Sequence, residues 1–282
     1  MKLYFFLLFL MLIGCVQRPA KKASLGLIAD SAMVVSAHPL ASHTGIMVLR
    51  KGGNAVDAAI ATQFALAVVY PSAGNIGGGG FMVLRLSDGT ATTLDYRERA
   101  PAAASASMYL DENGDIIPEL SERGHLASGV PGTVAGLLEA HAKFGSVPWK
   151  DLVQPAIDLA LNGFVLTAKE AENLNELQDD LKEFNSILPE FLIREDWKTG
   201  DSIHYTDLGH TLERIRDYGT IGFYEGKTAN DIVAEMQRGN GIITHEDLKS
   251  YKAVWREPLH FTYKDYNLMS MGPPSSGGVA LA

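Results

Sequence analysis

An α+β fold of layered helices and strands is what this sequence predicts, and three observations carry the prediction. From Ala55 to Val69 nearly every position is apolar and many are alanine, the composition of a helix enclosed inside a packed layer. Two short strand-like runs, Phe81–Leu86 and Ala91–Tyr96, flank Ser87-Asp88-Gly89, and an Asp-Gly pair between such runs is a strong hairpin signal. Strand character then gives way to a mostly helical middle and returns at Pro258–Met271, an order that suggests an α+β layered architecture.

The elements follow in order. Met33–Ala37 is a short apolar run of strand type. His38–Gly52 has helical spacing through Leu40, Ile46 and Leu49 and stops at Gly52-Gly53. Asn54 is suited to cap the next helix, and Asp57 sits at the third helical position, where the dipole favours an anion. Asp57 and Gln63 interrupt the apolar stretch and Pro71 ends it, so it reads as a buried core helix and not as a membrane span. Gly77–Gly80 precedes the hairpin. Helix is then predicted over Val130–Phe144, Leu152–Leu161, Ala168–Phe184, Thr206–Tyr218, Ala229–Gln237 and His245–Tyr251. No internal repeat or low-complexity linker interrupts the chain.

Composition narrows the classes. With 282 residues, 46% of them hydrophobic and 20% charged, the chain is globular and long enough for a sizeable core. A net charge of −9 disfavours nucleic acid, whose phosphates need clustered Lys and Arg. The start reads as an export signal. Lys2 is followed by an apolar run, Leu3–Ile13, which is too short for a bilayer that needs about 20 residues. Leu12-Ile13-Gly14-Cys15 resembles a bacterial lipobox, after which the cysteine becomes the lipidated first residue. Cys15 is the only cysteine, so it has no intrachain disulfide to form. Residues 1–15 are therefore expected to be a lipoprotein signal with its lipobox, 16–32 a polar tether, and 33–282 the folded body. The protein is expected in the periplasm or cell envelope, held to the membrane by lipid.

Several chemistries can be set aside. Gly77–Gly80 lacks the Gly-Lys-Ser/Thr ending of a phosphate loop and precedes a strand where a helix is needed. Its glycines are expected to allow close approach between the buried helix and the sheet. The eight histidines are scattered, without metal-ligand spacing and without an accompanying cysteine, so neither metal nor cofactor is expected. There is no Gly-x-Ser-x-Gly elbow. Ser275 and Ser276, in Pro273-Pro274-Ser275-Ser276-Gly277-Gly278, read as part of a rigid turn. The most chemical-looking segment is Asp95-Tyr96-Arg97-Glu98-Arg99-Ala100-Pro101. Period-two alternation puts Leu94 and Tyr96 on one face and Asp95 and Arg97 on the other. An arginine at a strand end, steadied by nearby carboxylates, can present a planar fork to a carboxylate ligand; the competing reading is an ordinary surface ion pair.

Taken together, Gly52–Ala59, Gly74–Phe81, Leu94–Pro101, His125–Gly136, Gly241–Tyr251 and Pro273–Gly278 are similar, in order, to the large subunit of gamma-glutamyltransferases (glutathione hydrolases). The resemblance covers essentially everything from Met33 onward. It implies a portion of the layered αββα sandwich of N-terminal-nucleophile hydrolases. It also implies a precursor that cuts itself before a threonine, whose new amino terminus makes it the nucleophile. That threonine would take the gamma-glutamyl group from glutathione or a similar donor and pass it to water or an amino acid. Arg97 matches the family arginine that grips the donor's α-carboxylate. The family's nucleophilic threonine, oxyanion-hole glycines and α-amine partners fall beyond Ala282, so no catalytic residue is assigned here. A small-subunit partner is implied to supply them, and the fragment alone is expected to be inactive. Two alternatives stay open: a non-catalytic binding lipoprotein, and a glutaryl-type acylase of the same fold.

Overall fold

The computed structural model describes residues 26–282. Cys15 and the apolar run before it lie outside the described residues. The chain divides into two units, Met1–Met33 and Val34–Ala282. Residues 26–33, the described part of the first, carry no helix or strand. Among the described residues no helix is long and apolar enough to cross a membrane.

The second unit is built around the predicted core helix. Helix α1 (Pro39–Arg50) leads into α2 (Ala55–Val69), whose bounds are those the sequence predicts. Ile60, Ala61, Phe64, Ala65 and Val68 of α2 are fully enclosed. Its start is pinned by a reciprocal cap: Asn54 Oδ1 accepts from the Val56 and Asp57 amides, and Asp57 Oδ2 accepts from the Asn54 amide at 2.9 Å. Asp57 is also fully buried. It accepts from the Ser146 amide at 3.1 Å and from the Ser146 hydroxyl at 2.5 Å. A buried carboxylate is tolerated because every bond it needs is made.

Helices α3 (Thr133–Phe144) and α4 (Trp149–Asn162) pack against α2. The Asn54 amide group donates to Phe144 O at 2.6 Å, tying α2 to the end of α3. Beyond α4 come the short strand β3 (Phe164–Val165), α5 (Ala168–Phe184), α6 (Glu190–Ile193), β4 (Ser202–Ile203), α7 (Thr206–Tyr218), α8 (Ile221–Tyr224), α9 (Gly226–Arg238) and α10 (His245–Ser250). Trp149 links two of these layers. Its ring packs edge-on to Phe64 at 5.5 Å, and its indole N–H donates to Ile215 O of α7 at 3.1 Å.

The predicted hairpin is present as β1 (Phe81–Arg85) and β2 (Ala91–Asp95), with Phe81 opposite Asp95 and Val83 opposite Thr93. Gly89 has φ +90°, and Asp88 Oδ1 accepts the Thr90 amide at 2.8 Å, which is why Asp-Gly marks this turn. A third strand, β5 (Val254–Arg256), pairs antiparallel with β2 to give the order β1-β2-β5. Sequence reading missed β5, a three-residue strand directly after a helix.

Two expectations need correction, and the last strand segment gains its pairing. Met33–Ala37 is not a strand: Val34 packs on the core while Val35 is 82% exposed, and no neighbouring chain pairs with this segment among the described residues. The return to strand at Pro258–Met271 is present as a hairpin of β6 (Leu259–Tyr263) and β7 (Tyr266–Ser270), reversing at Lys264 with φ +52°. The predicted turn at Pro273–Gly278 leads directly into a final helix, α11 (Ser276–Leu281), with Ser275 Oγ accepting the Gly277 amide.

Candidate functional site

The two motif stretches that stand out most in the sequence, around Arg97 and around Pro274, meet in space although 177 residues separate them. Arg97 lies two positions beyond the last residue of β2. Alternation along β2 sends Leu94 and Tyr96 into the core, where they are fully and almost fully buried. The Tyr96 hydroxyl donates to Gln63 of α2 at 3.2 Å. The next side chain, Arg97, therefore emerges on the open side and is exposed. Its Nη1 donates to Pro274 O at 3.2 Å.

The carboxylates do not do what the sequence suggests. Asp95 is buried, not displayed beside Arg97, because β5 covers it: Arg256 donates to Asp95 Oδ2 from both Nε and Nη2 at 2.9 Å. The other carboxylate oxygen accepts the Arg97 backbone N–H at 3.1 Å. Asp95 thus steadies the main chain of Arg97 and neutralises a different arginine. Among the described residues no acidic side chain forms an ion pair with the Arg97 guanidinium. A carbonyl oxygen is its polar contact, so its full positive charge remains available to an anion.

The glycine run has a role other than the one expected. A Cβ on Gly79 would stand 2.4 Å from Tyr96 O and 2.8 Å from Glu98 N, and one on Gly80 2.9 Å from the Tyr96 ring. These glycines lie against the exit of β2, not between the sheet and α2. Gly80 and Tyr96 exchange backbone hydrogen bonds, and Gly78 O accepts the amides of Gly132 and Thr133 at 2.8 and 3.0 Å. Helix α3 starts three residues later than its apolar pattern because Val130 is bridged to Arg99 in both directions. Close approach of bare backbone, made possible by glycine, locks the Arg97 segment to the start of α3.

Tyr251, at the end of α10, was not singled out by sequence reading. Its hydroxyl donates to Arg97 O at 2.7 Å, and its ring stacks on Tyr224 with centroids 5.9 Å apart. The Arg99 guanidinium lies 5.3 Å from the Tyr251 ring centroid. Burial, only partly offset by the Arg99 cation, pushes the Tyr251 phenol up to about 12. It therefore remains a hydrogen-bond donor at neutral pH.

Four of the histidines make structural contacts. His38 pairs with Glu170 and His125 with Glu235, while His141 bonds to Val147 O and His245 to Asn230. Among the described residues no group of three or more His, Cys, Asp or Glu is placed to hold a metal ion. A separate, largely apolar cleft of about 720 Å³, lined by Val69, Leu159, Phe164, Leu174 and Tyr205, contains none of the site residues.

The molecule is a layered α+β body that displays an unneutralised arginine at a strand exit, and the comparisons place it in a family. Residues 41–282 match the family described as Gamma-glutamyltranspeptidase, and the chain belongs to that family. It is 45% identical to a glutathione hydrolase proenzyme of Pseudomonas aeruginosa over 96% of this chain, and 44% identical to that of Escherichia coli over 89%. It spans about half the length of these curated relatives, 48% and 44% respectively. Among solved structures it resembles the gamma-glutamyltranspeptidase of Helicobacter pylori, with 45% identity and a TM-score of 0.86 over 90% of this chain and 74% of that one. A cephalosporin acylase from Bacillus halodurans is more distant, at 28% identity and a TM-score of 0.77 over 92% of this chain and 50% of that one. The fold is thus the part of the N-terminal-nucleophile hydrolase architecture that these proteins share.

Proposed function

We propose that this chain is the donor-recognising portion of a gamma-glutamyl acyltransferase or hydrolase, acting on glutathione or a similar gamma-glutamyl donor. The observation that carries it is the state of Arg97: an exposed guanidinium without a carboxylate partner, its backbone fixed on both sides. A planar fork held in this way suits a free α-carboxylate, which it can bind with two parallel N–H···O bonds. In this reading the gamma-glutamyl carbonyl, at the other end of the donor, is attacked by a threonine at the amino terminus of a small-subunit partner. The acyl group then passes to water or an amino acid. The fragment alone does not react.

The test is hydrolysis of gamma-glutamyl-p-nitroanilide by a protein comprising this chain joined to the half it does not match in its relatives. Turnover is expected from the joined protein and none from residues 26–282 alone. A glutaryl anilide serves as the discriminating substrate, because it keeps the terminal carboxylate but lacks the α-amino group. Faster turnover of the glutaryl compound would transfer the assignment to the acylase class.

The amino terminus is read as a lipid anchor that retains the exported protein at the cell envelope, on the strength of Leu12-Ile13-Gly14-Cys15 after an apolar run. Labelling cells with a radioactive fatty acid should mark the protein, and Cys15→Ala should abolish the label. An equally labelled Cys15→Ala variant would refute the anchor.

A further inference from the structure

Recognition of a carboxylate by arginine depends on where the guanidinium points, and at Arg97 that direction is set by a backbone outside any regular element. Arg97 follows β2, so no ladder fixes its dihedrals. Two side-chain hydrogen bonds take the ladder's place. Asp95 accepts the Arg97 N–H at 3.1 Å, and Tyr251, 154 residues further along, donates to the Arg97 carbonyl at 2.7 Å.

Tyr251 is itself held firmly. Its ring lies parallel to that of Tyr224, with an interplanar angle of 2°. The Tyr224 hydroxyl donates to Pro131 O at 2.9 Å and accepts the Ala135 amide at 3.2 Å. The pair of rings therefore refers the Arg97 carbonyl to the first turn of α3. Gly132 leaves room for this: a Cβ there would fall 2.1 Å from the Tyr251 hydroxyl oxygen. Packing alone would be satisfied by phenylalanine. The hydroxyl's recorded contact is with Arg97.

We propose that Tyr251 is a positioning residue for donor recognition, its hydroxyl fixing the Arg97 carbonyl and hence the direction in which the guanidinium meets the donor's α-carboxylate. This rests on the reading of Arg97 as the carboxylate clamp. Loss of the bond leaves the arginine in place but lets its backbone turn, which weakens binding of the carboxylate without touching the acyl-transfer step.

The experiment uses the joined, active protein with Tyr251→Phe, which keeps the ring and its stacking on Tyr224. Two donors are compared: gamma-glutamyl-p-nitroanilide, and 4-aminobutyryl-p-nitroanilide, which is the same molecule without its α-carboxylate. KM for the first is expected to rise about tenfold, the worth of one hydrogen bond, with kcat within about twofold. The kcat/KM for the second is expected to be unchanged. No change in KM, or an equal loss on both donors, overturns the positioning role, because a merely structural tyrosine would not discriminate between them. Arg97→Ala is measured in parallel. If that variant is as active as the parent, the clamp itself is wrong; if it is crippled while Tyr251→Phe is normal, only the positioning role fails.

Discussion

Arg97→Ala in the joined protein is expected to lower kcat/KM for gamma-glutamyl-p-nitroanilide by two to three orders of magnitude. The loss should lie mainly in KM. Truncating one partner of a closely hydrogen-bonded charge pair costs about 3–4 kcal/mol, including the cost of leaving the other charge unpaired. At about 1.4 kcal/mol per decade this gives the stated range. The carboxylate lies at the opposite end of the glutamyl group from the reacting carbonyl, so most of its binding energy is shared by ground and transition states. Arg97→Lys should recover part of the loss and no more, since an ammonium offers a point charge in place of a two-pronged fork. The 4-aminobutyryl donor should be turned over equally by parent and alanine variant. An alanine variant with KM within twofold of the parent would remove the basis of the proposed function. The structure adds a reason to expect a clean result: Arg97 is exposed and its side chain's one recorded bond is to Pro274 O, so its removal disturbs no core.

Much of this site was legible in the sequence, but not its wiring. The core helix Ala55–Val69 was readable to the residue, because an alanine-rich run begun by Asn and Asp and ended by Pro leaves little choice of register or length. The hairpin was readable because Asp88-Gly89 fixes both the turn and the pairing across it. Arg97 could be picked out as the polar residue following a buried tyrosine at a strand end. Its surroundings could not. Asp95 reads from alternation as a neighbour of the Arg97 side chain, and only the pairing of β5 with β2 shows that Arg256 takes its charge. Arg256 and Tyr251 come from more than 150 residues away, and nothing local in Val254-Trp255-Arg256 announces a strand. The short run Met33–Ala37 failed for the reverse reason. Its composition is that of a strand, but strand identity is a property of a pair of chains, and no partner lies alongside.

Gly132→Ala, the addition of a single methyl group, should damage stability and recognition together. Gly132 has φ −116°, a value open to any residue, so the objection to alanine is one of space. Its Cβ would stand 2.0 Å from Tyr96 O and 2.1 Å from the Tyr251 hydroxyl oxygen. The tyrosine could swing aside only by releasing Arg97 O. The Tyr96 carbonyl is main chain, already bonded to the Gly80 amide, and can move only with the exit of β2 and the glycine run against it. Relief through either route costs roughly 3 kcal/mol, the upper part of the usual range for overpacking. Chemical denaturation should register it as a lower midpoint at unchanged slope. Gly77→Ala is the matched control, since a Cβ there meets nothing within 4 Å, and its stability should stay within about 0.5 kcal/mol of the parent. The same Gly132 variant should raise KM for the gamma-glutamyl donor while sparing the 4-aminobutyryl donor, since what is displaced is the bracket around Arg97. A Gly132→Ala protein with parental stability and parental KM would mean that the contact between the start of α3 and the exit of β2 is loose, and a loose contact could not aim an arginine.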